Sequence, residues 1–322
     1  MTSRRTHRSS GFTLAELAVA LAIIALLLFG AMVPFSTQVN LRNIAETQRS
    51  MDSIREAILG FALANGRLPC PADGNIAFGS PNAGVERFDG TNCVAALGSG
   101  AFGVVPWATL GTPETDAWGR RFAYRVSPAF ADAISRTTWN SLAGAYSVPA
   151  PPPTYLPQQT SSPPSPGSQN AASLCNLTTA PLQSSFALCT LGDITVYTRG
   201  SPGTAATPTV AVAPAVLISH GKNGYGAWQP SGVQLPLPPA GSDDEAANAN
   251  GNTTQSPAPV APSYLTWAFY SRAPTPSTSG CADPVPTAAG SSTTAFCEFD
   301  DIVVAIPANA LITRMVAAGK LP

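Results

Sequence analysis

Carboxylates, one histidine outside the first ten residues and six cysteines are the groups of this 322-residue chain whose types and spacing could do chemistry. Glu16 stands inside the apolar run GFTLAELAVALAIIALLLFGAMVPF, Gly11 to Phe35. A carboxylate in a membrane segment costs about 3 kcal/mol on insertion scales, so its presence implies a function and a cationic partner. Further along, His220 lies in Ile218-Ser219-His220-Gly221-Lys222-Asn223-Gly224-Tyr225-Gly226. A base beside a hydroxyl and an amine would suit acid–base or nucleophilic catalysis. Neighbours at a strand end point apart, however, and no third group is placed to orient the imidazole. A glycine-rich turn after a buried strand, with positive φ at Gly221, Asn223 and Gly224, accounts for the same residues. Gly98-Ser99-Gly100-Ala101-Phe102-Gly103 matches G-x-G-x-x-G, but Val104-Val105-Pro106 follows where a helix N-terminus is required. With no P-loop, H-E-x-x-H or G-x-S-x-G present, no catalytic residue is expected and the chain is not read as an enzyme.

Metal chemistry has two places to start. Asp243, Asp244, Glu245 and Asn248, and then Asp300 and Asp301, offer the oxygen ligands that calcium accepts. Their spacing departs from an EF-hand, and acidic clusters in loops are commonly solvated. Asp243, Asp244, Asp300 and Asp301 are therefore carried as calcium candidates, and no cofactor is expected. The cysteines are Cys70, Cys93, Cys175, Cys189, Cys281 and Cys297. An even number in an exported chain reads as disulfides between neighbours, 70 with 93, 175 with 189 and 281 with 297, although six cysteines allow 15 connectivities. No C-x-x-C occurs and the only histidines are His7 and His220, so zinc is not expected.

The elements that position these groups begin with a helix. Phe12 to Val33 is about 22 residues, enough at 1.5 Å each to cross a bilayer core. Leu41, Ile44, Met51, Ile54, Ile58 and Phe61 then continue at helical spacing, with charges largely elsewhere on the wheel, until Gly66 and the Pro69 to Pro71 pair end the run. Pro34 or Gly30 would bend this spine. Strands are expected at Phe102 to Leu110, Trp118 to Val126, Ile194 to Thr198, Val210 to Ser219, Tyr264 to Ser271 and Glu298 to Ile306, and a closing helix at Ala308 to Ala318. Residues 149–167 read as an exposed Pro-rich loop and 236–262 as a long mobile insertion. The division is thus a basic leader (1–11), a membrane or filament-core helix (12–34), its amphipathic continuation (35–66) and a β-rich head (67–322).

Charge excludes one class of partner. The chain holds 17 basic and 18 acidic residues. Without the leader's three arginines, 14 basic residues face 18 acidic ones, a net charge of −4, and no clustered basic face suits nucleic acid. Arg4, Arg5, His7 and Arg8 precede the apolar run, which keeps the N-terminus cytoplasmic and sends the rest across.

Gly11-Phe12-Thr13-Leu14-Ala15-Glu16-Leu17, behind a basic leader and opening an apolar helix, resembles the processing site of type IV pilins and type II secretion pseudopilins. The resemblance implies cleavage between Gly11 and Phe12 by a prepilin peptidase, N-methylation of Phe12, and assembly through Glu16, which neutralises the N-terminal amine of an adjacent subunit. Asp116-Ala117-Trp118-Gly119-Arg120 looks like an element that pseudopilins carry after their long helix, and the His220 segment like the loop with which major pseudopilins help enclose calcium. The implied fold is α+β and pilin-like, a long N-terminal helix on an antiparallel sheet with long loops. The implied partners are the peptidase, other pilin or pseudopilin subunits, an inner-membrane assembly platform and membrane lipid. The location is the inner membrane in a single pass, with the head periplasmic, and then the filament. The large head favours a minor or tip subunit; the alternative is a membrane-anchored binding module that does not polymerise.

Overall fold

The computed structural model describes residues 13–90, 93–94, 102–131, 138–140, 145–147, 184–186, 192–200, 206–250, 267–278, 280–281, 283 and 295–321, without the side chains of 26–37, 129, 138–140, 145–147 and 250. The chain forms two compact units, Met1–Ala45 and Glu46–Pro322, and the division falls within helix α1 (Leu14–Asn65).

In the first unit α1 runs without interruption through Gly30 and Pro34. Its early apolar side chains face solvent: Leu14, Leu17, Val19, Leu21, Ile23 and Ile24 are all exposed. Among the described residues no helix is long and apolar enough to cross a membrane. The expected span 12–34 lies only partly within them.

In the second unit the last five turns of α1 bury one stripe. Met51, Ile54, Ile58 and Ala62 are fully buried, three and four residues apart, which places them on one face. Burying each of the three larger side chains contributes roughly 1.5–3 kcal/mol. Leu41, expected in this stripe, is exposed. Gly66 ends the helix with φ +70° and its N–H on the Ala62 carbonyl (2.8 Å), a left-handed position that a side chain would strain.

The stripe packs on a four-stranded antiparallel sheet ordered β1 (Phe102–Val104), β2 (Ala123–Val126), β7 (Ala215–Ser219), β9 (Ile302–Ile306). Tyr124, Val126, Leu217 and Ile306 face α1, as do Leu311 and Met315 of the final helix, α5 (Ala308–Ala317). The opposite face, with Val104, Ala123, Val216 and Ile218, packs against a second sheet ordered β6 (Thr207–Ala213), β5 (Ile194–Thr198), β8 (Trp267–Tyr270), in which β5 and β8 are parallel. Between these lie the short helices α2 (Trp107–Leu110) and α3 (Pro128–Ala131), the hairpin β3 (Thr138–Asn140) and β4 (Ala145–Ser147), and helix α4 (Asp243–Asn250). The fold is α+β, in layers of helix, sheet and sheet.

Three expectations change. The strand expected over Phe102 to Leu110 stops at Val104, because Pro106 cannot donate to a ladder and the chain turns helical at Trp107. The run Val210 to Ser219 is two strands broken at Pro214. The strand expected over Trp118 to Val126 is regular only from Ala123, and its two arginines are buried, Arg125 under the second sheet and Arg121 among Trp107 and the Gly74, Ile76 and Pro230 carbonyls. Arg121 pairs with Glu114 (2.8 Å) and lies over Trp107, while Arg125 pairs with Asp193 (2.6 Å) and stacks on Trp267. Disulfides join Cys70 to Cys93 and Cys281 to Cys297; Cys175 and Cys189 lie outside the described residues.

Candidate functional site

Two groups of functional residues come from separate units. At the N-terminus, Gly11 and Phe12 lie outside the described residues, and the first turn of α1 begins beside them. Thr13 and Glu16 satisfy each other's helix-end groups. The Thr13 N–H donates to Glu16 Oε2 (2.9 Å), its hydroxyl donates to the same oxygen (3.0 Å), and the Glu16 N–H donates to Thr13 Oγ1 (3.2 Å). This is a reciprocal capping box, with threonine at the cap and glutamate three residues on. Both side chains are exposed, so the carboxylate is held in place at the helix N-terminus and stays open to a partner.

In the head, β7 delivers Ser219 and His220, the turn after it Asn223, α4 Glu245 and Asn248, and the segment entering β9 Asp300 and Asp301. Glu245, Asp300 and Asp301 each bring a carboxylate oxygen within 4.8 Å of the other two. Amides tie one oxygen of each. Glu245 Oε1 accepts from Asn223 Nδ2 (2.8 Å) and the Asp300 N–H (3.1 Å). Asp300 Oδ2 accepts from the Asn223 N–H (2.8 Å), and Asp301 Oδ2 from Asn248 Nδ2 (2.8 Å). Glu245 Oε2 and Asp300 Oδ1 are buried without a hydrogen-bond partner among the described residues. His220 is 1% exposed; neither ring nitrogen has a hydrogen bond among the described residues, and Nδ1 lies 3.5 Å from Asp301 Oδ1.

The electrostatics follow from burial. Desolvation, reinforced by the charge of Asp301, pushes the Glu245 carboxyl up to about 8. Desolvation pushes Asp300 up to about 6 against the Asn223 amide, which favours its charged form. A set of carboxylate oxygens oriented by amides fits a hard divalent ion such as calcium. Glu245, Asp300 and Asp301 are the residues that would hold it. Gly221 lets the loop close: its φ is +53°, and a Cβ there would lie 2.3 Å from the Asp300 carbonyl oxygen.

The other candidates are elsewhere. Asp243 is outside the group. Asp244, fully buried, points the other way and accepts from Arg199 Nε and Arg272 Nε, both at 2.9 Å. Ser219 donates to Asp116 Oδ2 (2.7 Å) rather than to His220, and Lys222 is exposed. Asp116 also accepts the N–H groups of Trp118 and Arg120 on Oδ1, so the Asp-x-Trp-Gly element is a turn tied to β7. Gly221 and Gly224 have positive φ, as expected, and Asn223 does not. Residues 98–101 of the G-x-G-x-x-G match fall outside the described residues, and its Phe102-Gly103 lie on β1.

Sequence reasoning missed α4. Residues 236–262 read as a mobile insertion, yet 243–250 form a helix whose Asp244, Glu245 and Asn248 are buried. The missed signal is Ser242 followed three residues later by Glu245, a helix-start pattern. Residues 251–262, like the Pro-rich 149–167, lie outside the described residues.

No curated protein and no solved structure matches the chain. One family model does, that of the prokaryotic N-terminal methylation motif, over residues 6–32. The matched stretch contains Gly11, Phe12 and the Thr13–Glu16 box, and continues into the exposed apolar part of α1. The chain therefore carries the prokaryotic N-terminal methylation motif, the type IV pilin and pseudopilin signal, at its N-terminus.

Proposed function

We propose that this protein is a structural, non-catalytic subunit of a type IV pilus or a type II secretion pseudopilus, occupying a minor or tip position. A prepilin peptidase cuts between Gly11 and Phe12 and Phe12 is methylated. The N-terminal helix holds the subunit in the inner membrane with its head in the periplasm. An assembly platform then moves it into the filament, where Glu16 meets the Phe12 amine of a neighbour. The observation that carries this reading is the methylation motif over 6–32 running straight into a helix whose apolar side chains are uncovered. Such a surface requires lipid or neighbouring helices. The large head supports a minor or tip place, since it would crowd a closely packed fibre. Mass spectrometry of the mature N-terminus tests the reading: methylated Phe12 is expected, and a mature chain starting elsewhere overturns it.

A second reading concerns the head alone. We infer that Glu245, Asp300 and Asp301 bind a divalent cation, calcium in the first instance. Its support is a pair of carboxylate oxygens without partners among the described residues, together with a buried His220 whose ring nitrogens have no hydrogen bond among them and whose Nδ1 faces Asp301. Thermal unfolding with calcium against chelator tests it; identical midpoints would remove the idea.

A further inference from the structure

We propose that the Cys281–Cys297 disulfide and Asp283 within its loop are positioning elements of the cation site, acting on Glu245 through α4; this rests on the cation reading above. Helix α4 has eight residues, too few to hold a helical position in water without tertiary anchors. Its two consecutive acids face opposite demands. Glu245 enters the carboxylate group with Asp300 and Asp301, and Asp244 enters a clamp built on the disulfide.

The clamp is continuous. Arg272 Nε donates to Asp244 Oδ2 (2.9 Å), while its Nη2 donates to Asp283 Oδ1 (3.0 Å) and to the Cys297 carbonyl (3.2 Å). Asp283 Oδ1 also accepts the Cys297 N–H (3.1 Å), and Asp283 Oδ2 the Asp244 N–H (3.3 Å). The Asp283 N–H donates to the Gly241 carbonyl (3.0 Å), two residues before α4 begins. Gly241 has φ +97°, and a Cβ there would lie 3.3 Å from the Cys281 carbonyl oxygen and 3.8 Å from Cys297 Sγ. The disulfide therefore underlies the chain where it enters α4. The side chains of Asp244 and Asp283 are 0% exposed and that of Arg272 2%, so the clamp is dry and geometrically demanding.

The consequence is preorganisation. Three carboxyl groups within 4.8 Å of one another repel once ionised, as cation binding requires, and a short helix free to move would relieve this by withdrawing Glu245. An anchored α4 keeps Glu245 in place before the ion arrives, so the ordering cost does not fall on binding. Loss of the disulfide then weakens the ion's affinity in a head that remains folded.

Calcium titration by calorimetry of the full chain in detergent tests this, with C281S/C297S compared with the native protein. The expected result is an affinity at least tenfold weaker in the variant. Ile58→Val, on the buried stripe of α1, serves as a control that lowers the unfolding midpoint and leaves the affinity unchanged. Equal affinity in C281S/C297S and the native protein, with Glu245→Gln abolishing binding, overturns the positioning role and leaves the cation reading standing. No binding by the native protein overturns both. If C281S/C297S does not fold, Asp283→Asn, which keeps the sulfurs joined, carries the test with the same two outcomes.

Discussion

Glu16 and Glu245 are two glutamates satisfied in opposite ways. Glu16 finds its hydrogen-bond donors three residues away, on the first turn of its own helix, and remains exposed. Glu245 is 1% exposed, and its donors come from Asn223 and Asp300, 22 and 55 residues distant. The first arrangement is a local motif that survives any change of head; the second exists only when β7, α4 and the segment before β9 meet. Recognition at the N-terminus can therefore be separated from stability, whereas in the head the two are one network.

The sharpest way to break this contrast is at Glu16. Glu16→Ala is expected to abolish recovery of the protein in sheared filaments while leaving membrane insertion and the head's unfolding midpoint unchanged; a variant that still assembles would end the contrast. Arg272→Ala should do the reverse, lowering the stability of the head by about 3–5 kcal/mol, because Asp244 and Asp283 would lose a buried counter-charge. Denaturant unfolding checks it, and a loss below about 1 kcal/mol would show the clamp to be dispensable.

A third test uses pH. The folded Glu245 carboxyl sits near 8, above its unfolded range of about 4.3, so the native state binds the proton more tightly. Its stabilising contribution is whole below about pH 4.3 and is lost as pH rises towards 8. In chelator, the difference in stability between the native protein and Glu245→Gln should change steadily between pH 5 and 8, to the detriment of the native protein. A constant difference would place Glu245 outside the buried cluster. The smallest expected effect is at Thr13: Thr13→Val removes the hydroxyl half of the capping box and should cost about 1 kcal/mol of local helix stability. Amide exchange in the first turn of α1 reads this, and the head should not respond.

Legibility followed the same division. The helix to Asn65, its stop at Gly66, the strand at 194–198, the second half of the strand expected over 298–306 and the closing helix all rest on periodicity and punctuation within a few residues. Phe102 to Leu110 misread because proline's missing donor outweighed an apolar run. The burial of Arg121 and Arg125 is not legible locally, because Arg125 is covered by the second sheet, built from residues after 190, and Arg121 by Trp107 and the Gly74, Ile76 and Pro230 carbonyls. Helix α4 was illegible for the same reason: Asp-Asp-Glu-Ala-Ala-Asn is polar enough for a loop, and its burial depends on Arg199, Arg272 and Asn223 arriving from elsewhere.

The sequence alone determined the processing signal, because peptidase recognition and helix capping act on contiguous residues: the leader, Gly11, Phe12, the Thr13–Glu16 box and the apolar helix. It also pointed to neighbouring cysteines pairing, as 70 with 93 and 281 with 297 do, and supplied a store of aspartates without saying which would meet. Tertiary structure alone decided that Asp244 is neutralised by arginines, that Glu245 joins Asp300 and Asp301, and that His220 stands beside them. Burial sets the cost of each charge and long-range packing supplies its partners, and neither is a property of a local stretch of chain.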